Sequence, residues 1–171
     1  LLIHAVKCTD IEKAKKENKV AIVYGAQNGR IIDLEPAYLY TLHKLGLRIL
    51  QLTYQNQNYI GGGCAERVDN GLSEYGIMVV EEMNKLGMLI DLSHVGYRTT
   101  LDAIEVSKDP VAFTHSNPRA LCDHPRNKSD EQMRALAEKG GVIGLTAWSP
   151  ITEIKRAIRP NIEDFIRIIE Y

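Results

Sequence analysis

The sequence predicts an α/β fold on a parallel sheet of about five strands with flanking helices. Three observations carry this prediction. Apolar runs of strand length alternate with amphipathic stretches at intervals of roughly 25–35 residues. Strict alternation of that kind calls for right-handed crossovers between parallel strands. Two of the runs, Met88-Leu89-Ile90-Asp91-Leu92-Ser93-His94 and Val111-Ala112-Phe113-Thr114-His115-Ser116, place a histidine at the strand end, where α/β folds gather their active-site groups. An open doubly wound sheet and part of a (β/α)8 barrel both satisfy the pattern. No G-x-G-x-x-G or G-x-x-x-x-G-K-[ST] follows any of the runs, so a nucleotide-binding open sheet loses its best support.

In chain order, Thr9-Asp10-Ile11-Glu12 reads as a capping box that opens a short charged helix to about Asn18. Val20 to Tyr24 is a continuous apolar run, expected for a strand covered on both faces, and Gly25 to Gly29 turns it outward. Leu39, Leu42 and Leu45 form a helical stripe closed by Gly46. Arg48 to Tyr54 is the next strand, and a polar, glycine-rich loop covers Gln55 to Asn70. Ile77, Val80, Met83 and Leu86 mark a helix ended by Gly87. The first histidine strand, a helix over Thr99 to Ser107 and the second histidine strand follow. Ser129-Asp130-Glu131-Gln132 is a second capping box, with a helix running to Gly140-Gly141. Val142 to Trp148 is the fifth strand. A last helix opens near Pro160 and presents Ile162, Phe165, Ile166 and Ile169.

The 171 residues suffice for one domain over 1–171. A net charge of −1 and a pI near 6.6 give no reason to expect a nucleic acid or an anionic membrane as partner. No apolar stretch approaches the roughly 20 residues that span a bilayer. Cys8, Cys64 and Cys122 are too few and too scattered for a disulfide scaffold or zinc ribbon, which favours free thiols and a cytoplasmic location. The chain opens on Leu1 and stops at Tyr171, directly after a helical pattern, as a piece of a longer protein would.

Imidazole is the commonest protein ligand for catalytic zinc, and neighbouring parallel strands lie about 4.8 Å apart. His94 and His115 can therefore converge on one metal. They can equally be buried histidines bonded to backbone or hydroxyl groups. Arg126 follows His115 by eleven positions, in a loop before a helix start. Its guanidinium suits a substrate carboxylate, or simply Asp130. Gln27 and Tyr54 also fall at strand ends. Asp91, inside its strand, suits support of the barrel interior better than catalysis.

Together, Ile90-Asp91-Leu92-Ser93-His94, Thr114-His115-Ser116-Asn117 and Arg126-Asn127-x-x-Asp130 resemble the membrane dipeptidase (renal dipeptidase) family, metallopeptidase family M19. Leu45-Gly46-Leu47-Arg48 and Leu52-Thr53 fit as well, so the likeness runs across nearly the whole chain. It implies a (β/α)8 barrel, here a central portion lacking the first and last strands. It also implies a two-zinc site in which a metal-bound hydroxide hydrolyses a dipeptide with a free carboxylate. By position, His94 and His115 resemble the second zinc's ligands, and Arg126 the carboxylate-binding residue. Gln27 stands where the family has a bridging glutamate, and Tyr54 where it has a substrate-binding histidine. Both replacements resemble a bacterial branch. The His-x-Asp pair of the family's first strand and the catalytic aspartate of its last have no counterpart, so no catalytic residue is assigned within the chain. The chain alone is expected to be inactive, with its exposed sheet edges covered by further sequence or by another copy in a homo-oligomer. Two other functions stay open: an inactive homologue that binds a small ligand or partner, and another metal-dependent amidohydrolase.

Overall fold

The computed structural model describes residues 1–153 and 159–171. Strand β1 (Leu2–His4) pairs in parallel with β2 (Val20–Ile22). Strands β3 (Tyr24–Ala26), β4 (Leu47–Gln51), β5 (Leu89–Asp91), β6 (Ala112–Phe113) and β7 (Val142–Ile143) form a five-stranded parallel sheet. Val23 alone separates β2 from β3, so one extended run carries the two-stranded sheet into the five-stranded one. Strand order in the larger sheet follows chain order without reversal. A doubly wound sheet reverses at a switch point, whereas a (β/α)8 barrel does not. Helices α2 (Ala37–Lys44), α3 (Glu74–Leu86), α4 (Tyr97–Val106) and α5 (Asp130–Glu138) touch in sequence, each against the next, as in the outer layer of such a barrel. The chain is part of a (β/α)8 barrel.

The short strands alternate their side chains between two layers. Leu50, Leu52, Ile90, Leu92 and Phe113 face the helices and pack with Leu39, Val79, Val80, Met83, Ile104 and Leu136. Each fully buried residue of this size contributes about 1.5–3 kcal/mol relative to exposure. The residues between them, Gln51 and Asp91, are also buried but polar, and lie toward the concave inner face. There an open cavity of about 360 Å³ is bordered by Ala26, Ile49, Asp91 and Thr114. Apolar packing thus fills the outer layer, while the inner face sets the hydrogen-bonding groups of Asp91 and Thr114 beside Ala26 and Ile49.

Helix termini follow local chemistry. Ser129 and Gln132 make the expected capping box, with Ser129 Oγ accepting from Gln132 N at 3.2 Å. Gly87 closes α3 at φ 66°, a backbone state that costs glycine little. The first helix departs from expectation. Helix α1 (Cys8–Lys16) is capped by Asp10 rather than Thr9, because the Asp10 carboxylate accepts from the amides of both Val6 and Lys7 at 2.9 Å. A charged acceptor that reaches two free amides outcompetes a hydroxyl that reaches one. Leu45 does not continue the α2 stripe. It is the C-cap residue and 71% exposed.

Strand β1, helix α6 (Ser149–Thr152) and a 3-10 turn over Gly29–Ile32 escape sequence reading. Strand β1 is three residues long at the chain start, and α6 is one turn after Trp148. The expected fifth strand is also shorter than Val142–Trp148. Gly144 passes so close to Thr114 that a Cβ there would lie 2.2 Å from its carbonyl oxygen, and ladder pairing stops at Ile143. Helix α7 (Ile162–Glu170) buries Ile168 and leaves Ile162, Ile166 and Ile169 exposed, in place of the expected stripe. Among the described residues, no helix is long and apolar enough to cross a membrane.

Candidate functional site

His94 lies three residues beyond the end of β5 and His115 two beyond β6. Their Nε2 atoms approach to 3.0 Å. Two nitrogens bound to one zinc at roughly 2.0–2.1 Å sit about 3.3 Å apart in tetrahedral geometry. The pair is therefore at metal-chelating distance. The Gln27 amide nitrogen reaches His115 Nε2 at 2.8 Å from the end of β3, so three strand ends meet at one point. Burial holds His94 neutral, with its pKa pushed down to about 3, and the Arg126 cation reinforces the effect. His115 is pushed down as well, chiefly by burial, with the Asp91 carboxylate opposing. Neutral imidazole is the form that ligates metal.

Buried polar groups hold this point in place. Gln51 is fully buried, and its amide nitrogen donates to the carbonyls of Gln27 and Thr53, each at 2.7 Å. It joins the strand end that carries Gln27 to the one that carries Tyr54. Asp91 accepts from Ser93 N at 3.0 Å, Ser93 Oγ at 2.5 Å, Thr114 N at 3.1 Å and Thr114 Oγ1 at 2.7 Å. This carboxylate joins the two histidine strands. Asp91 thus supports the inner face, as its strand position suggested.

Arg126 does not pair with Asp130, which instead faces Arg134 and Tyr171. Its guanidinium donates to the carbonyls of Ser93, through Nη1, and His115, through Nη2 at 2.9 Å. These are the main chains that carry the two histidines. Its Nε is buried without a partner. That leaves the Nε–H as a donor with no acceptor in the structure. The Tyr54 ring stacks on His94, with centroids 4.2 Å apart and planes at 23°. Gln27, Tyr54, His94, His115 and Arg126 line one cavity of about 200 Å³, so the structure brings all five candidates together.

Sequence reasoning missed part of this cavity. Gln55, Thr146, Trp148 and Ile151 also line it. Ile151 lies in the single turn of α6 and Trp148 is its N-cap residue, where the sequence pattern placed the end of the fifth strand. Lys128 was missed too. It is 1% exposed, with Nζ bonded to Val95 O at 2.9 Å and 5.0 Å from the Phe113 ring centroid. Burial brings its pKa down to about 7, with the Arg126 cation adding to the effect.

Whether the residues fit a metal follows from their donors. Two neutral imidazole nitrogens converge, while the third side chain is an amide. Among the described residues, no group of three or more His, Cys, Asp or Glu is placed to hold a metal ion. Catalytic zinc sites use three protein ligands. The pair fits one metal, with the remaining ligands to come from water, substrate or residues outside this chain.

A family model described as membrane dipeptidase, peptidase family M19, matches residues 2–171. A dipeptidase of Schizosaccharomyces pombe, itself uncharacterized, is 36% identical over 168 residues, covering 93% of this chain and 40% of that protein. An amidohydrolase from Pseudomonas aeruginosa superposes with a TM-score of 0.93 at 42% identity, covering 100% of this chain and 52% of its own. The probable dipeptidase PvdM of the same bacterium gives a TM-score of 0.83 at 28% identity, covering 88% of this chain and 40% of its own. This chain thus spans 40% of the length of the yeast relative. Fungal and bacterial proteins both match, so the comparisons do not single out a bacterial branch. On the match to residues 2–171, the chain belongs to the membrane dipeptidase family, peptidase family M19.

Proposed function

We propose that this chain contributes half of the active site of a zinc-dependent dipeptidase. The observation that carries the reading is the 3.0 Å convergence of His94 and His115 Nε2 at two strand ends of an M19 barrel. His94 and His115 would hold the metal, which when bound supplies Lewis-acid polarisation of the scissile carbonyl. Arg126, which lines the same cavity as the two histidines, would bind a substrate carboxylate through its guanidinium. Tyr54 covers one face of His94 and limits both its rotation and the access of water. Gln27 adds a neutral amide to the pair, so this site favours one firmly held metal over two. The proton carrier of the reaction comes from outside this chain.

Turnover of a dipeptide panel by the full-length zinc-supplemented protein tests the reading. Dipeptides with a free C-terminal carboxylate are expected to be hydrolysed, with amidation raising KM and His115→Ala abolishing turnover. No hydrolysis of any dipeptide would favour a ligand-binding homologue, for which the Gln27 amide is the supporting observation.

A further inference from the structure

The two histidines have unequal surroundings. His94 Nδ1 is buried and has no hydrogen-bond partner. His115 Nδ1 lies 2.7 Å from Thr114 Oγ1, which lies 2.7 Å from Asp91 Oδ2. A hydroxyl carries one hydrogen, so its direction in this chain can be worked out by counting. Asp91 Oδ1 receives three donors: Ser93 N, Ser93 Oγ and Thr114 N. Asp91 Oδ2 receives Thr114 Oγ1 alone. If the Thr114 hydroxyl donated to His115 instead, that carboxylate oxygen, in a residue only 4% exposed, would be left without a donor. The Thr114 hydrogen therefore points at Asp91, and Thr114 Oγ1 accepts from His115 Nδ1–H.

The far side of the ring agrees independently. The Gln27 amide nitrogen, a donor without accepting capacity, sits 2.8 Å from His115 Nε2, so Nε2 presents a lone pair. We propose that Asp91 and Thr114 are positioning residues that lock His115 in its Nδ1–H tautomer. Its Nε2 lone pair, which accepts from the Gln27 amide in the metal-free protein, is then on the side of the ring that faces His94 and the candidate metal position. His94, with nothing to hold its Nδ1, has no such lock. The role of the lock in metal binding rests on the proposed function, but the tautomer itself does not.

Nitrogen-15 NMR of histidine-labelled, metal-free full-length protein reads the tautomer directly, and zinc titration reads its consequence. Wild-type His115 is expected to show a protonated Nδ1 and a lone-pair Nε2. Asp91→Asn turns the Oδ2 position into a donor that reverses the Thr114 hydroxyl. It is expected to move the His115 proton to Nε2 and to weaken zinc binding by about 10–100-fold, the usual effect of losing a group that orients a metal ligand. Thr114→Val leaves Nδ1 without its acceptor and should populate both tautomers, while Thr114→Ser restores the wild-type pattern. These two variants carry the test if Asp91→Asn does not fold. A proton on Nε2 in wild type, or an unchanged tautomer in folded Asp91→Asn or Thr114→Val, would overturn the proposal. A correct tautomer in a wild-type protein that takes up no zinc would overturn the metal reading and leave the lock standing.

Discussion

Gln27 and His115, 88 residues apart in the chain, meet at 2.8 Å between an amide nitrogen and an imidazole Nε2. A donor occupies the place where a metal site gains most from an anion. Gln27→Glu therefore reverses the local electrostatics, adding a negative charge where a cation would sit. Opposite unit charges 4 Å apart attract by about 4 kcal/mol at an effective dielectric of 20, part of which is spent on desolvation. Zinc titration of Gln27→Glu should show binding tightened by about tenfold or more. Equal or weaker binding would place the metal away from Gln27.

Arg126 ties down the carbonyls of Ser93 and His115, and its Nε keeps no partner. A lysine at this position has one nitrogen and cannot serve both carbonyls and a carboxylate. Each buried acceptor left unmade costs about 1–3 kcal/mol. Arg126→Lys should lower the stability measured by denaturant unfolding by about that amount. In steady-state kinetics on free-carboxylate dipeptides it should raise KM more than it lowers kcat.

Gln51 bridges the carbonyls of Gln27 and Thr53 from a fully buried position. Gln51→Leu keeps the volume and removes both donors. A loss of about 1–3 kcal/mol is expected, since the buried Thr53 carbonyl loses its partner together with the part-buried carbonyl of Gln27. A thermal melt that leaves Tm unchanged would mean that water replaces both bonds.

Lys128 gives a pH dependence whose sign can be worked out. Its pKa is brought from 10.5 in the unfolded chain to about 7 in the fold. Between pH 7 and 10.5 the unfolded state binds more protons, so stability rises with pH across that window. The gain is lost as pH falls from 10.5 through 7, below which both states carry the charge. Unfolding free energies at pH 7, 8 and 9 should climb for wild type, and Lys128→Met should remove this slope.

Much of the barrel was legible because alternation of apolar runs and helical stripes is a long-range pattern. Ser129 with Gln132, and glycine at position 87, show local chemistry that a sequence states outright. Asp10 shows its limit, since the same four residues that suggest a Thr9 cap also contain a stronger acceptor. Strand β1 and helix α6 are too short for any period to show. At the site, His94, His115 and Arg126 could be named because their motifs are contiguous. The roles of Gln51, Thr114 and Lys128 could not, because each depends on partners brought from another strand or loop. That Arg126 bonds main-chain carbonyls rather than Asp130 follows from burial, which spacing does not encode.

We propose that His94 and His115 hold a metal between them. Calorimetric zinc titration of the metal-free full-length protein, beside the double variant His94→Ala with His115→Ala, tests it most directly. At least one equivalent of zinc is expected on wild type and none on the double variant, whose fold persists by circular dichroism. Zinc uptake unchanged in the double variant, or none in wild type, would contradict it.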